Sequence, residues 1–153
     1  MSTSSPWKGT YQIGIVVRDL EEAVEHYERM GIGPFTDGPS EKAVYREVYG
    51  TTTTTTTKVR GKIAQMGHLE LELLETVSGP SVQQEALTAN GEHVLHLCAY
   101  TDDLDAEIER MSGAGFPVIS YGELDDGGRF AYFDTRRVGG LILEYFQRGT
   151  RHS

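Results

Sequence analysis

The feature that most constrains this chain is an internal echo. Residues 12–23, "QIGIVVRDLEEA", are matched in outline by residues 96–107, "HLCAYTDDLDAE". A spacing of 84 residues lays Gln12 on His96, Asp19 on Asp103, Leu20 on Leu104 and Gly31 on Gly115, so the match covers a whole strand-to-helix unit. In each copy an alternating apolar stretch reads as a strand, with Gln12, Gly14 and Val16 on one face and His96, Cys98 and Tyr100 on the corresponding one. Asp19 and Asp103 stand where helix N-caps belong. Leu20, Ala23, Val24 and Tyr27 then form one apolar stripe and Leu104, Ile108 and Met111 the other, with glycines beyond to end each helix.

Three strand-like stretches follow each helix: "KAVYREVYG", "KVRGKIAQMG" and "HLELELLE" in the first half, "FPVISYGE", "GRFAYFDT" and "GLILEYFQ" in the second. The chain therefore reads as α+β, two βαβββ modules, about 10–76 and 94–148, within one domain spanning 1–153. Their last strands match at a spacing of 72, which lays Glu72 on Glu144. The first half thus carries about a dozen extra residues. Their natural home is the unbroken run Thr51 to Thr57, which has no alternation to specify a face and reads as a neutral loop or hairpin tip.

Size and charge exclude several classes. A chain of 153 residues buries one ordinary core. The single cysteine, Cys98, allows no internal disulfide, and "MSTSSPWKGT" lacks the apolar stretch of a signal peptide, so a cytoplasmic setting is expected. No apolar run approaches the ~20 residues of a membrane helix. A net charge of −9 opposes nucleic acid and anionic lipid, and neither is expected as a partner.

Two such modules joined edge to edge make one curved mixed sheet, and repeat-equivalent residues then face each other across a pseudo-twofold axis. Gln12, Glu72, His96 and Glu144 become one candidate site. Two carboxylates, an imidazole and an amide suit one divalent metal ion: zinc, nickel, cobalt or manganese. Taken singly the same residues read more plainly, His96 as a packed core imidazole and the glutamates as solvated strand positions. Their shared register favours the site. By alternation Tyr100, Phe146, Ile142, Val16 and Leu74 would wall a partly apolar cavity for substrate.

The stretches "QIGIVVRDLEEAVEHYERMGIGPF", "KIAQMGHLELELLE", "HLCAYTDDLDAEIERM" and "GGRFAYFDTRRVGGLILEYF" together resemble the vicinal oxygen chelate superfamily, which includes glyoxalase I, methylmalonyl-CoA epimerase, bleomycin-resistance proteins and extradiol dioxygenases. The likeness runs from about Tyr11 to Phe146 and leans toward the epimerase-like branch. It implies metal ligation by Gln12, Glu72, His96 and Glu144, a set of the glyoxalase I type in an epimerase-like sequence. It also implies a homodimer. Epimerases of this kind supply a further glutamate from the strand before Glu72. Here "VRGKIAQ" offers only Arg60, Gly61 and Lys62, which leaves Glu72 and Glu144 as the catalytic bases.

These parts suit removal of a proton from a carbon beside a carbonyl or thioester, with a metal stabilising the charge that develops on oxygen. Two carboxylates on opposite faces can take the proton on one side and return it on the other, which is racemisation or epimerisation. Returning it to the adjacent carbon is the isomerising chemistry of a glyoxalase I-type lyase. A third reading is a small-molecule-binding protein of the resistance type, without catalysis. Dioxygenase iron sites favour two histidines and one carboxylate, which the amide at residue 12 does not match. The expected substrate is a small α-carbonyl compound or an acyl-CoA. Arg129, Arg136, Arg137, Lys58, Arg60 and Lys62 are available for coenzyme A phosphates, while the acidic total favours a neutral compound.

Overall fold

The structure is a computed structural model, and it describes residues 4–150. The first half contains β1 (Thr10–Val16), α1 (Leu20–Glu28), β2 (Thr36–Asp37), a 3₁₀ turn (Pro39–Lys42), β3 (Ala43–Val48), β4 (Thr51–Thr52), β5 (Lys58–Met66) and β6 (Leu69–Ser78). After α2 (Val82–Asn90), the second half contains β7 (His93–Tyr100), α3 (Leu104–Gly113), β8 (Val118–Leu124), β9 (Arg129–Phe133) and β10 (Ile142–Gln147). All strands belong to one curled sheet in the order β2-β5-β6-β1-β7-β10-β9-β8-β3-β4.

The repeat is visible in hydrogen bonds as well as in sequence. At the centre β1 and β7 pair antiparallel, and each has a parallel neighbour, β6 on one side and β10 on the other. Asp19 Oδ1 accepts from the Glu22 amide and Asp103 Oδ1 from the Ala106 amide, both at 3.0 Å. A second acceptor reaches each helix start from the partner strand. Glu75 takes the Leu20 amide at 2.7 Å and Gln147 the Leu104 amide at 2.8 Å. Orphan donors at both N-termini are therefore satisfied twice in equivalent ways. Leu20 and Leu104, the first helical residues, are fully buried. Leu20 packs with Val17, Ala23, Leu71 and Leu73. Leu104 packs with Ala99, Met111, Ala131, Phe133 and Tyr145.

The modules are not closed units. A simple βαβββ reading leaves β3 beside β5; instead β3 pairs antiparallel with β8 of the other half, with Arg46 opposite Gly122. The two-residue β2 takes the edge beside β5. The extra residues of the first half supply the span for this crossing. The Pro39–Lys42 turn bridges the two ends of the curl, since Gly38 donates to Gly61 of β5 and Asp125 donates to Lys42.

The threonine run differs from a neutral loop. The hairpin tip is Tyr49 and Gly50; Thr51 and Thr52 pair back onto β3 as β4. Thr53 and Thr57 are buried, and Thr57 Oγ1 donates to the Pro80 carbonyl at 2.5 Å. The helix α2 was not foreseen in the sequence; its apolar face is short, and it is marked by the Ser81 cap, which accepts from the Gln84 amide at 2.9 Å. Among the described residues no helix is long and apolar enough to cross a membrane.

Candidate functional site

Four central strands each place one polar side chain in the hollow of the sheet. Gln12 on β1, Glu72 on β6, His96 on β7 and Glu144 on β10 are 3%, 4%, 0% and 6% exposed, so none is a solvated strand position. They converge on His96 Nε2, which lies 2.9 Å from Gln12 Oε1, 3.3 Å from Glu144 Oε1 and 3.6 Å from Glu72 Oε1. Gln12 is oriented from behind. Its amide NH₂ donates to Glu70 Oε2 at 2.6 Å, which turns its oxygen toward the imidazole.

Glycines make room for this convergence. Gly14 stands directly opposite His96 in the β1–β7 ladder, and a Cβ there would lie 2.1 Å from His96 Cε1. The imidazole thus rests on bare backbone. Glu72 Oε2 is held in a similar cradle, 3.2 Å from a Cβ built at Gly38 and 3.5 Å from one at Gly61.

Burial sets the protonation of the group. It pushes the Glu72 carboxyl up to about 8, with Glu70 adding to the shift, and raises Glu144 well above the carboxylate range, with Glu72 adding to it. It lowers His96 to about 3. The imidazole is therefore neutral, and its contacts with the two glutamates are not ion pairs. Burial also raises the Cys98 thiol, and Cys98 is a packed neighbour rather than a nucleophile.

The donor set has features that a divalent ion would use. His96 Nδ1 and Glu144 Oε1 are buried without a hydrogen-bond partner. Two ligands bonded to one ion at ~2.1 Å stand ~3.0–3.6 Å apart for bond angles of ~90–120°. The spacings about His96 Nε2, from 2.9 to 3.6 Å, span that range. Among the described residues, His, Cys, Asp and Glu side chains form no group of three arranged to hold a metal by themselves. Gln12 Oε1, 2.9 Å from His96 Nε2, is the further oxygen donor beside these residues. A dication is also the charge that would let two buried carboxyls ionise side by side.

The residues expected to wall the cavity are only partly found there. Phe146 lines it, together with Tyr11, Pro39, Ser40, Arg46, Gln83, Leu124, Phe130 and Tyr132. Ile142 and Leu74 do not: both are fully packed, Ile142 in the apolar core below the site. Tyr100 stacks on the far face of Tyr11, ring centroids 3.7 Å apart, and lines a separate outer cleft with Arg148. Period-two alternation selects the right face of a flat strand but not the depth at which a curled sheet holds each side chain. Arg46 and Gln83 were missed because β3 comes from the opposite half and α2 has no strong sequence signal. Four of the cations considered for phosphates are paired elsewhere: Arg60 with Glu21, Lys62 with Asp37, Arg129 with Asp105 and Arg136 with Asp134.

The sequence model of the glyoxalase/bleomycin resistance protein/dioxygenase superfamily matches residues 11–133. No curated protein matches the sequence. Among solved structures, methylmalonyl-CoA epimerase from Mycobacterium tuberculosis superposes with a TM-score of 0.70 at 19% identity, covering 97% of this chain and 93% of that one. A variant methylmalonyl-CoA epimerase from Streptomyces coelicolor, in complex with 2-nitronate-propionyl-CoA, gives 0.69 at 24% identity, covering 94% and 96%. A variant 4-hydroxymandelate synthase from Streptomyces coelicolor gives 0.62 at 16% identity, covering 99% of this chain and 52% of that one. These likenesses establish the fold.

Proposed function

The chain belongs to the glyoxalase/bleomycin resistance protein/dioxygenase superfamily, and on that footing we propose that it is a metal-dependent racemase or epimerase acting at a carbon beside a carbonyl or thioester. One observation carries the reading: two buried carboxyls and an imidazole converge with an amide oxygen at the centre of the sheet. The epimerase-like neighbours support it at the level of fold, and members of the superfamily commonly bind a divalent metal.

Gln12, Glu72, His96 and Glu144 would hold the ion, with Glu70 fixing the amide and Gly14 seating the imidazole. The ion supplies a Lewis acid that lowers the cost of developing negative charge on a substrate oxygen. Glu72 and Glu144 move the proton. They come from repeat-equivalent strands on either side of the central β1–β7 pair, so one can take the proton from one face of the carbon and the other return it to the opposite face. Tyr132, Phe130 and Phe146 line the cavity beside these groups.

Solvent deuterium incorporation tests this. Zinc-, nickel-, cobalt- or manganese-loaded protein should label the α-carbon of an acyl-CoA or a small α-carbonyl compound, and Glu72→Gln or Glu144→Gln should slow labelling by ~100-fold or more. No labelling above the metal-free control across that panel would overturn the reading. The Gln, Glu, His, Glu set favours one alternative, a glyoxalase I-type lyase, which would instead convert the hemithioacetal of glutathione and methylglyoxal.

A further inference from the structure

Arg46 is the one strongly buried arginine, 4% exposed, and it has no carboxylate partner among the described residues. Arg18, Arg60, Arg110, Arg129 and Arg136, all more exposed, each reach a carboxylate at 3.3 Å or closer. The Arg46 guanidinium instead donates once, to the Ser40 carbonyl at 3.1 Å, and lies 5.8 Å from the centre of the Phe130 ring. A buried cation without a counter-ion is costly, and a fork of five donors with one protein acceptor is under-used.

The fold goes to some length to hold it there. The threonine run grips the backbone of Arg46 from both sides: Thr54 Oγ1 accepts its amide at 3.1 Å, and the Thr53 amide donates to its carbonyl at 2.8 Å. Gly122, its cross-strand partner, lets the Phe130 ring lie against β8, since a Cβ there would sit 2.4 Å from the ring.

Its position is where two cavities meet. Arg46 and Ser40 line the inner cavity, which they share with Gln12, Glu72 and Glu144, and they also line an outer cleft with Thr54, Thr57, Lys58 and Arg60. The inner cavity measures about 20 Å³, room for about one water, whereas the cleft measures about 380 Å³, in the range of small-molecule sites. Arg46 and Ser40, joined by that hydrogen bond, are the two lining residues the cavity and the cleft have in common.

We propose that Arg46 is the substrate-recognition residue for a carboxylate, and that the substrate is an α-carbonyl acid which enters by the outer cleft and displaces the Ser40 carbonyl from the guanidinium. This rests on the proton-transfer reading of the inner site and specifies its substrate class. A carboxylate accepts two parallel N–H bonds from the guanidinium where the Ser40 carbonyl accepts one. An uncharged analogue lacks this anchor.

Pyruvate and its neutral methyl ester probe this by binding alone. Their dissociation constants would be measured by calorimetry on zinc-treated wild type, Arg46→Met and Arg46→Lys, with folding of each variant checked by circular dichroism. The wild type should prefer the acid at least tenfold, Arg46→Met should bind both alike, and Arg46→Lys, which keeps the charge without the fork, should fall between. A wild type that binds acid and ester equally overturns the proposal. So does an undiminished preference in either variant. If Arg46→Met does not fold, Arg46→Lys alone decides. Arg46-dependent acid binding without proton exchange would sink the catalytic reading while leaving the anion site standing.

Discussion

Replacing Gly14 by alanine should empty the site without touching any proposed ligand. A Cβ at residue 14 would stand 2.1 Å from His96 Cε1, 2.4 Å from Nε2 and 2.5 Å from Nδ1, so the methyl would meet the whole ring face. Ordinary contact begins near 3.4 Å, so ring and backbone must part by about 1.3 Å, several times the ~0.2 Å tolerance of a metal–ligand distance. His96 is fully buried and has nowhere to retreat. Overpacking of this kind costs ~1–3 kcal/mol, which lowers the melting temperature of a domain this size by ~2–12 °C. The assay pairs scanning calorimetry with metal content on Gly14→Ala and wild type. A modest melting shift with at least tenfold weaker metal retention is expected. An unchanged melting temperature with full metal content would refute the reasoning, because it would mean that His96 is not seated on the Gly14 backbone.

Two further outcomes follow from burial. In metal-free protein Glu72, raised from 4.5 to about 8, favours the folded state most below pH 4.5, and that contribution is lost as pH rises through about 8. His96, lowered from 6.5 to about 3, acts in the opposite sense: its contribution is present above pH 6.5 and is lost as pH falls through about 3. Chelator-treated wild type should therefore lose melting temperature on the alkaline side more steeply than Glu72→Gln; parallel curves between pH 6 and 9 would count against the buried, protonated carboxyl. Leu104→Ala removes a fully buried side chain under α3 and should cost ~2–5 kcal/mol, read as a fall in denaturation midpoint without a change in slope.

Much of this architecture was legible because the repeat states it twice. The caps at Asp19 and Asp103, the buried Leu20 and Leu104, and the superfamily all follow from matched strings, and the four polar residues meet as their shared register suggested. What escaped was whatever the two halves do not share. The crossing of β3 to β8 is a long-range pairing with no local signature, and it alone brings Arg46 over the site. The threonine run looked featureless because its role is in backbone and hydroxyl hydrogen bonds, which leave no apolar pattern. Tyr100, Ile142 and Leu74 share the correct strand face, yet curl and close packing keep them out of the cavity.

The proposed function stands on Gln12, Glu72, His96 and Glu144 holding one divalent ion. Metal content by mass spectrometry tests it most directly, on tag-free wild type beside His96→Ala and Glu144→Gln after incubation with zinc, nickel, cobalt or manganese and desalting. Close to one equivalent per chain in the wild type, sharply reduced in both variants, is the predicted result. A wild type that stays empty with all four metals, or variants that retain a full equivalent, would contradict it.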